Sequence, residues 1–360
     1  MAAGAQAYAK RARPCWRTGI ARAATPSQAT RGHDAAMQLS PRLALFLTLP
    51  PLMWAGNAVI GRAMADHSPP LLLNFMRWSG ALLLLLPLGW HAFGTRQRRL
   101  EIRQRWPHLA VLGLLGVGMY NSMQYMALRT STPLNVTLIA ASQPLWMMLV
   151  GALFYRVRPG PRDLIAAALS LAGVVIVLTR GHPLALLQVK LVPGDLLLLV
   201  AIACWSLYSW MLARPPPLMR GDARPAWDWS QFLLVQMVFG LVWAGLAAGG
   251  EALVLGDDGS VRWSWLVALA LLYIAVGPSL VAYWAWGLGV AHAGPAMAAL
   301  FSNLTPLFTA LISGATLGLW PEPYHLAAFA LIVAGILCSA WRSAAARAAT
   351  AAGAARSMQR

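Results

Sequence analysis

Long runs of apolar residues follow one another along almost the whole chain, from Leu43 to Trp341. A helix that crosses a bilayer needs about 20 such residues in a row, whereas a helix on the surface of a soluble protein needs only one apolar face. Charged residues make up 11% of the chain, against about a quarter in a soluble domain. The runs are too long and alternate too little for the strands of a membrane barrel. The sequence therefore predicts an all-α membrane protein, with the lipid bilayer as its surroundings.

We predict ten transmembrane helices in this protein. They span residues 42–64, 70–93, 107–128, 134–155, 161–180, 193–213, 230–250, 264–288, 295–316 and 323–341. Pro and Gly interrupt many of these runs, which membrane helices tolerate. None of the acidic residues lies in the middle of a predicted span, so the sequence does not favour proton coupling through a buried carboxylate.

Both ends of the chain are rich in Ala and Arg. We predict disordered tails over residues 1–38 and 342–360 because neither has an apolar core of its own. The first tail also lacks the apolar segment of a secretory signal. Its Arg-rich, acid-poor composition is also typical of a transit peptide, and Met37 offers an alternative start of translation.

The basic residues predict how the spans are oriented. If the N-terminus is cytoplasmic, 22 of the 28 Lys and Arg residues fall on the cytoplasmic side, five fall outside, and Arg77 lies within a span. Short loops rich in Lys and Arg face the cytoplasm. We therefore expect a multi-pass protein of the bacterial inner (plasma) membrane with both termini in the cytoplasm. The net charge of +17 sits in clusters between apolar runs, so nucleic-acid binding is not indicated.

The sequence offers no motif for catalysis or for a cofactor. Its three cysteines lack the spacing of a zinc site or a disulfide framework. Neither a phosphate-binding loop nor a paired nucleophile and base is apparent. We expect no metal, no other cofactor and no enzymatic activity.

An internal repeat divides the predicted helices into two halves. Residues 133–175 align with residues 295–337 at a shift of 162 without a gap, and 13 of the 43 positions are identical. All four prolines of each segment coincide: Pro133, Pro144, Pro159 and Pro161 with Pro295, Pro306, Pro321 and Pro323. Each half then holds five helices, and an odd number inserts the second half upside down. Two inverted five-helix repeats are typical of secondary transporters, which alternate between states open to either side.

Four motifs, in order, carry a resemblance to a known family. They are Pro51-Leu52-Met53-Trp54-Ala55-Gly56-Asn57; Pro70 with Arg77; Tyr125-Met126-Ala127-Leu128 followed by Leu138-Ile139 and Pro144; and Asp195, Trp205, Tyr208 and Arg214. Residues 40–340 thus resemble, in outline, the drug/metabolite transporter superfamily, in particular its EamA-type permeases. The resemblance implies EamA-like repeats at residues 39–180 (helices 1–5) and 193–341 (helices 6–10). It also implies transport of a small-molecule solute, a metabolite such as an amino acid or related compound, by alternating access and in the direction of efflux.

Arg77 is the most conspicuous candidate for contact with a solute. A charge near the centre of a membrane helix costs about 2.5–3.5 kcal/mol on insertion scales, and such residues mark solute pathways. Arg77 can bind an anionic group such as a carboxylate. The alternative is that it lies near the outer interface, where it binds phospholipid or backbone carbonyls.

Other polar and aromatic side chains within the spans are further candidates for the substrate pathway. They are Trp54, Asn57, Tyr120, Asn121, Gln124, Tyr125, Ser142, Gln143, Trp205, Tyr208, Tyr283, Asn303 and Thr305. Each of them can instead serve helix packing. Pro144 and Pro306 predict helix kinks, since proline removes one backbone donor and frees a carbonyl about a turn earlier.

A protein that does not transport anything is the alternative function: a polytopic scaffold or a lipid-handling protein. It predicts an interior packed with apolar side chains and no polar centre between the halves. The sequence leaves a homodimer open.

Overall fold

The chain folds into helices connected by short segments. The computed structural model describes residues 40–64, 66–131, 133–256, 260–317 and 322–358, and every regular element within these ranges is helical. The chain divides into two units, residues 37–345 and residues 1–36 with 346–360. The predicted tail at residues 1–38 lies outside the described residues.

The first half contains seven helices. They are α1 (Pro41–Met64), α2 (Pro70–Gly89), α3 (Arg96–Gly113), α4 (Tyr120–Thr130), α5 (Pro133–Ala141), α6 (Gln143–Tyr155) and α7 (Pro161–Leu178), with a π-helical segment (Leu114–Met119) that joins α3 to α4. Short 3₁₀ helices follow α2 and α7, at Trp90–Phe93 and Pro183–Gln188. Thr95 caps α3, since its hydroxyl accepts a hydrogen bond from the backbone N–H of Arg98 at 3.2 Å. This cap starts the helix eleven residues before the predicted span, because hydropathy marks only the apolar part of a helix.

The second half repeats this order. It contains α8 (Pro193–Ala213), α9 (Trp229–Leu255), α10 (Trp265–Ile274), α11 (Ala282–Ala293), α12 (Pro295–Ser302), α13 (Thr305–Leu317) and α14 (Pro323–Met358), with a second π-helical segment (Ala275–Val281) between α10 and α11. Two 3₁₀ turns, Pro217–Met219 and Gly221–Ala223, lie between α8 and α9. For residues 342–360 the sequence predicted a disordered tail, whereas α14 continues to Met358. Alanine, which dominates this segment, has the highest helix propensity.

Eight helices of the described residues are long and apolar enough to cross a membrane, or nine if the bent pair α5–α6 forms one span. The third predicted span, residues 107–128, is not among them. It corresponds to the helical stretch from α3 to α4. Polar residues of α4 (Asn121, Ser122 and Gln124) and Arg129 lower its hydropathy. The protein is thus a multi-pass helical membrane protein, and the count of ten spans stays a prediction.

The helix breaks occur at equivalent positions of the repeat. Helix α12 starts 162 residues after the start of α5, and α13 both starts and ends 162 residues after α6. The chain bends by 43° between residues 135–141 and α6. Pro144 and Pro306 each occupy the second position of the helix after a break, where a missing N–H costs little.

Helices α7 and α14 pack closely through two glycines. A methyl group at Gly173 would lie 2.7 Å from the carbonyl oxygen of Ala328, and one at Gly335 would lie 2.6 Å from that of Ala166. These contacts are reciprocal, because Gly335 and Ala328 each follow their counterparts by 162 residues. Close backbone approach at small residues is typical of membrane helix pairs.

Helices α2 and α9 run alongside each other and are joined at both ends. The carboxylate of Glu251 accepts hydrogen bonds from the backbone N–H groups of Leu71 and Leu72, at 3.0 and 2.9 Å. This contact caps the N-terminus of α2 and matches a negative charge to the positive end of the helix dipole. At the opposite end, the hydroxyl of Ser230 donates to the carbonyl oxygen of Leu88 at 3.3 Å.

Candidate functional site

Arg77 lies in the interior of the helix bundle, on α2. Its side chain is 1% exposed, which leaves no surface for contact with phospholipid, whereas the other part of the alternative, contact with a backbone carbonyl, is present. Its Nε donates to the hydroxyl of Ser279 at 2.6 Å, and its Nη2 donates to the carbonyl oxygen of Pro278 at 3.1 Å. Its Nη1 donates to Oδ1 of Asn121 at 2.8 Å and to the hydroxyl of Tyr125 at 3.0 Å. These described partners are all electrically neutral.

The two π-helical segments supply the surroundings of this guanidinium. Pro278 and Ser279 belong to the second segment, and the hydroxyl of Ser279 also donates to the carbonyl oxygen of Ile274 at 2.7 Å. A π-helical turn shifts the backbone bonding pattern and is frequent at functional sites. Here it places a backbone carbonyl and a hydroxyl where the guanidinium can reach both.

The first π-helical segment organises the other side of the network. The carbonyl oxygen of Gly116 accepts hydrogen bonds from Nδ2 of Asn121, at 3.0 Å, and from the hydroxyl of Tyr283. Nδ2 of Asn121 also donates to the hydroxyl of Tyr283 at 3.0 Å. Tyr125, one turn after Asn121 on α4, donates to Oδ1 of Asn57 at 3.1 Å. Side chains of α1, α2, α4 and α11 are therefore joined in one network.

An aromatic cluster adjoins the Arg77 network. Trp205, which is fully buried, lies at its centre with Tyr120, Tyr208 and Tyr283 at ring-centroid distances of 4.7, 5.0 and 5.3 Å. It also contacts Trp54 and Trp286, at 5.4 and 5.3 Å. Such ring pairs stabilise a core by more than the burial of their apolar surface alone contributes.

Trp78 connects the aromatic cluster to Arg77. Its ring packs edge-on against Tyr283 at 4.8 Å, and the guanidinium carbon of Arg77 lies 5.3 Å from its ring centroid. This distance is within the range of a cation–π interaction. The cation therefore has an aromatic face on one side and hydrogen-bond acceptors on the other.

Several buried polar atoms of this region have no hydrogen-bond partner within the described part of the chain. They include Nε1 of Trp78, Nε1 of Trp205 and Oε1 of Gln236. Gln236, on α9, uses its Nε2 to donate to the hydroxyl of Tyr208 at 3.1 Å. Buried polar groups are normally paired, so unpaired ones in a cluster call for an explanation such as a ligand or water.

A small cleft reaches this network from the end of the bundle where α2 begins. It has room for about one water molecule and is lined by Gly61, Ser68, Pro70, Leu73, Tyr125 and Arg129. Tyr125 is therefore both a wall of the cleft and a hydrogen-bond partner of Arg77.

The candidates at the helix breaks form a separate group. Nδ2 of Asn303 donates to the hydroxyl of Ser170 at 2.9 Å and to the carbonyl oxygen of Ala141 at 3.3 Å. The hydroxyls of Ser142 and Thr305 each donate to the carbonyl oxygen three residues earlier, at 2.6 and 2.7 Å. Nε2 of Gln143 is buried without a described partner. Ala141 and Asn303 are equivalent positions of the repeat, so this contact joins the two halves at matching points.

The structure thus brings nine of the candidate residues together around Arg77 and Trp205. They are Trp54, Asn57, Arg77, Tyr120, Asn121, Tyr125, Trp205, Tyr208 and Tyr283. Gln124 is half-buried on α4 and is not part of the hydrogen-bond network in the described residues. Ser142, Gln143, Asn303 and Thr305 lie at the helix breaks.

Sequence analysis missed Asn74, Trp78, Gln236 and Ser279. Nδ2 of Asn74 donates to the carbonyl oxygen of Val117 and to the hydroxyl of Ser122, both at 2.9 Å. Asn74 and Trp78 are three residues before and one after Arg77, so their position beside the most conspicuous charge was a usable signal. Gln236 is an isolated polar residue within an apolar run, which is a second signal. For Ser279 the sequence offers none, since a serine beside a proline has many roles.

Asp195 lies in the first turn of α8, as expected for the end of a span, yet it is only 1% exposed. Its carboxylate accepts hydrogen bonds from Nδ2 of Asn135 at 2.6 Å, from the backbone N–H of Val192 at 2.8 Å and from the hydroxyl of Ser131. This arrangement ties the start of α8 to α4 and α5. Within the described residues, no cluster of three or more His, Cys, Asp or Glu side chains could hold a metal ion.

Comparisons with known proteins agree with this architecture. Residues 42–179 and 192–341 each match the sequence profile described as "EamA-like transporter family". An uncharacterized transporter of Archaeoglobus fulgidus is 26% identical over 292 residues, which cover 81% of this chain and 95% of that protein. The "aromatic amino acid exporter YddG" of Ancylobacter novellus is 26% identical over 238 residues, which cover 65% of this chain and 76% of that protein. A solved crystal structure with 23% sequence identity superposes with a TM-score of 0.64, covering 84% of this chain and 97% of its own, and shows the same fold.

Proposed function

Because the chain belongs to the EamA-like transporter family, which makes it a membrane transporter, we propose that it is a secondary transporter of a small organic metabolite. It works by alternating access between two inverted five-helix halves, without a cofactor. The resemblance to the drug/metabolite transporter superfamily that the motifs indicated is confirmed by the family match.

The observation that carries this proposal is the position of Arg77 between the two halves. Arg77 belongs to the first half, whereas two of its hydrogen-bond partners, Ser279 and Pro278, belong to the second half. A movement of one half against the other therefore breaks or forms these bonds. Such a movement would expose the polar centre to one side of the membrane and then to the other.

Reciprocal contacts support the arrangement as inverted halves. The pairs Gly173–Ala328 and Gly335–Ala166 exchange under the shift of 162 residues. In a pair of elements related by a twofold axis, residue i contacts residue j of the partner and residue j contacts residue i. An axis that relates the halves in this way would lie in the membrane plane, because we assign five membrane spans, an odd number, to each half.

The finer parts of the proposal rest on the sequence and on one relative. We assign the protein to the bacterial inner membrane with cytoplasmic termini, because of the distribution of Lys and Arg. Amino acids or related compounds are the solutes to test first, and efflux the direction, because one relative is named as an aromatic amino acid exporter. A homodimer remains compatible with this function.

A scaffold or lipid-handling protein is the competing function, and it predicts an apolar interior. The buried network around Arg77 favours the transporter instead, since polar groups at this depth are costly unless they serve a function.

Flux in proteoliposomes tests the proposal. Purified full-length protein is reconstituted, and exchange of radiolabelled amino acids and related organic acids and amines is compared with that of protein-free vesicles. We expect saturable exchange of at least one solute, lost in the variant Trp205→Ala. Absence of protein-dependent flux across the whole panel would rule the proposal out, provided that the reconstituted protein retains its folded Trp fluorescence.

A further inference from the structure

We propose that Arg77 binds the carboxylate of the solute, or a chemically similar single anionic group. When no solute is bound, the hydroxyl of Tyr125 occupies the same hydrogen-bonding position on Arg77. This inference rests on the proposed transport function and adds the charge class of the solute. It also assigns the cleft beside Tyr125 as the path between Arg77 and the end of the bundle where α2 begins.

The first argument is the uncompensated charge of Arg77. The guanidinium is 1% exposed, and its partners are a hydroxyl, an amide oxygen, a phenol and a backbone carbonyl. A buried cation is normally paired with an anion, because neutral acceptors replace only part of its hydration. Within the described residues no carboxylate contacts it. An anionic group on the solute would supply the missing counter-charge.

The second argument is geometric. Arginine presents five N–H groups, of which the four hydrogen bonds account for four. Nη1 is held by Asn121 and Tyr125, which both come from α4. A carboxylate binds a guanidinium through two parallel N–H···O bonds. It can therefore take the place of the phenol on Nη1 and use the remaining N–H of Nη2.

The third argument is the path to this position. Tyr125 is 3% exposed, and it lines the cleft. Arg129 lines the same cleft one helical turn later on α4. A second cation at the mouth raises the local concentration of anions. When Tyr125 moves away from Arg77, its hydroxyl still has Oδ1 of Asn57 as an acceptor, so that the displaced phenol keeps a partner.

The fourth argument concerns the remainder of the solute. The guanidinium carbon lies 5.3 Å from the ring centroid of Trp78, which in turn packs on Tyr283. Nε1 of Trp78 and Nε1 of Trp205 are buried donors without a described partner. A solute whose apolar part carries one or two hydrogen-bond acceptors would pair these donors when the halves move apart.

A purely structural role predicts a different environment, for which Arg105 provides the comparison. Arg105 is also buried, and it donates to the backbone carbonyl oxygens of Glu101, Leu218 and Ala223 at 2.9, 2.9 and 2.7 Å. Its one described side-chain acceptor is Oε1 of its neighbour Gln104, at 3.4 Å. These bonds hold a loop in place at a helix end. Arg77 instead has mostly side-chain partners, which can rotate away and admit a ligand. Arg105 therefore serves as the matched control.

The experiment uses two probe pairs of nearly equal shape that differ in charge: 3-phenylpropionate with 3-phenylpropionamide, and butyrate with butyramide. Binding to the purified full-length protein is measured by quenching of Trp fluorescence and by the shift of the thermal unfolding midpoint. We expect at least one acid to bind about tenfold or more tightly than its amide, since a hydrogen bond to a charged group contributes about 1.5–3 kcal/mol. Equal binding of acid and amide in both pairs, or binding of no acid, overturns the inference.

The variants separate a binding role from a structural one. Arg77→Gln should bind acid and amide equally. Arg77→Lys keeps the positive charge but lacks the two parallel N–H groups of a guanidinium, so it should still prefer the acid but bind it with lower affinity. Tyr125→Phe should bind the acid as tightly as the native protein or more so, because no phenol competes for Nη1. Arg105→Gln should keep the preference of the native protein. A preference for the acid that survives in folded Arg77→Gln would also overturn the inference.

Flux data distinguish this inference from the proposed function. If the protein transports only neutral solutes and acids do not change that flux, the proposed transport function is supported and the proposed role of Arg77 is overturned. If the protein binds acids in preference to amides but shows no flux of any solute, the anion site is supported and the transport function is contradicted.

Discussion

The close contact between α7 and α14 yields the most direct test of the fold. We consider the substitutions Gly173→Ala and Gly335→Ala, one on each helix. The added methyl group would lie 2.7 Å from the carbonyl oxygen of Ala328 in the first variant and 2.6 Å from that of Ala166 in the second. Ordinary contacts of this kind begin near 3.4 Å. The helices therefore have to separate by about 0.7–0.8 Å, since a backbone carbonyl cannot rotate away as a side chain can.

The expected cost follows from overpacking. Inserting a methyl group into a well-packed interface destabilises a protein by about 1–3 kcal/mol, and separation of the helices also weakens dispersion contacts along the whole pair. The two variants should lose similar free energies of unfolding, because their contacts are reciprocal. In the double variant one separation accommodates both methyl groups, so the combined loss should be smaller than the sum.

Equilibrium unfolding of the detergent-solubilised protein, followed by Trp fluorescence, measures these losses. Gly287→Ala on α11 is the matched control, because a methyl group there meets nothing within 4 Å. Since alanine favours a helix over glycine by up to about 1 kcal/mol, this control should be neutral or slightly stabilising. If Gly173→Ala behaves like the control, the contact between α7 and α14 is not as described. If only one of the two glycines is sensitive, the reciprocal arrangement of the halves is refuted.

Three further predictions concern single polar contacts and the orientation in the membrane. Asp195→Asn should lower the free energy of unfolding by about 2–3 kcal/mol, because an amide cannot accept all three described hydrogen bonds. The control Asp222→Asn, in an exposed turn, should leave the free energy of unfolding unchanged in the same assay. Equal effects of the two substitutions would contradict the role of Asp195. Glu251→Gln should cost about 1 kcal/mol through the weaker cap of α2 and should increase hydrogen exchange at the first turn of that helix; unchanged exchange there would refute the cap. In a variant without native cysteines, Leu184→Cys should react in intact cells with a maleimide that cannot cross membranes. Thr95→Cys should react with the same reagent only after the cells are permeabilised. The reverse pattern would overturn the proposed orientation.

The candidate site was only partly predictable from the sequence. Arg77 was recognisable because a cation within an apolar run is costly, and aromatic residues such as Trp205 and Tyr283 were recognisable by their place within spans. The sequence could not decide whether Arg77 binds a solute or lies at the lipid interface. The burial of Arg77 depends on Pro278 and Ser279, which are about 200 residues away along the chain. No local pattern encodes such a contact, because it results from packing between the two halves.

The sequence by itself determined that the chain is helical and where its proline-matched segments lie. The length of the apolar runs requires helices, since only a helix satisfies its own backbone hydrogen bonds in lipid, and the matched prolines locate the same breaks in α5–α6 and α12–α13. Only the tertiary structure decided what the interior of the bundle contains. It buried Asp195 at the start of α8, brought Gly173 against Ala328, and placed Tyr125 between the cleft and Arg77. The physical reason is that hydropathy reports whether a residue tolerates lipid, whereas burial of a polar group depends on partners that other helices supply.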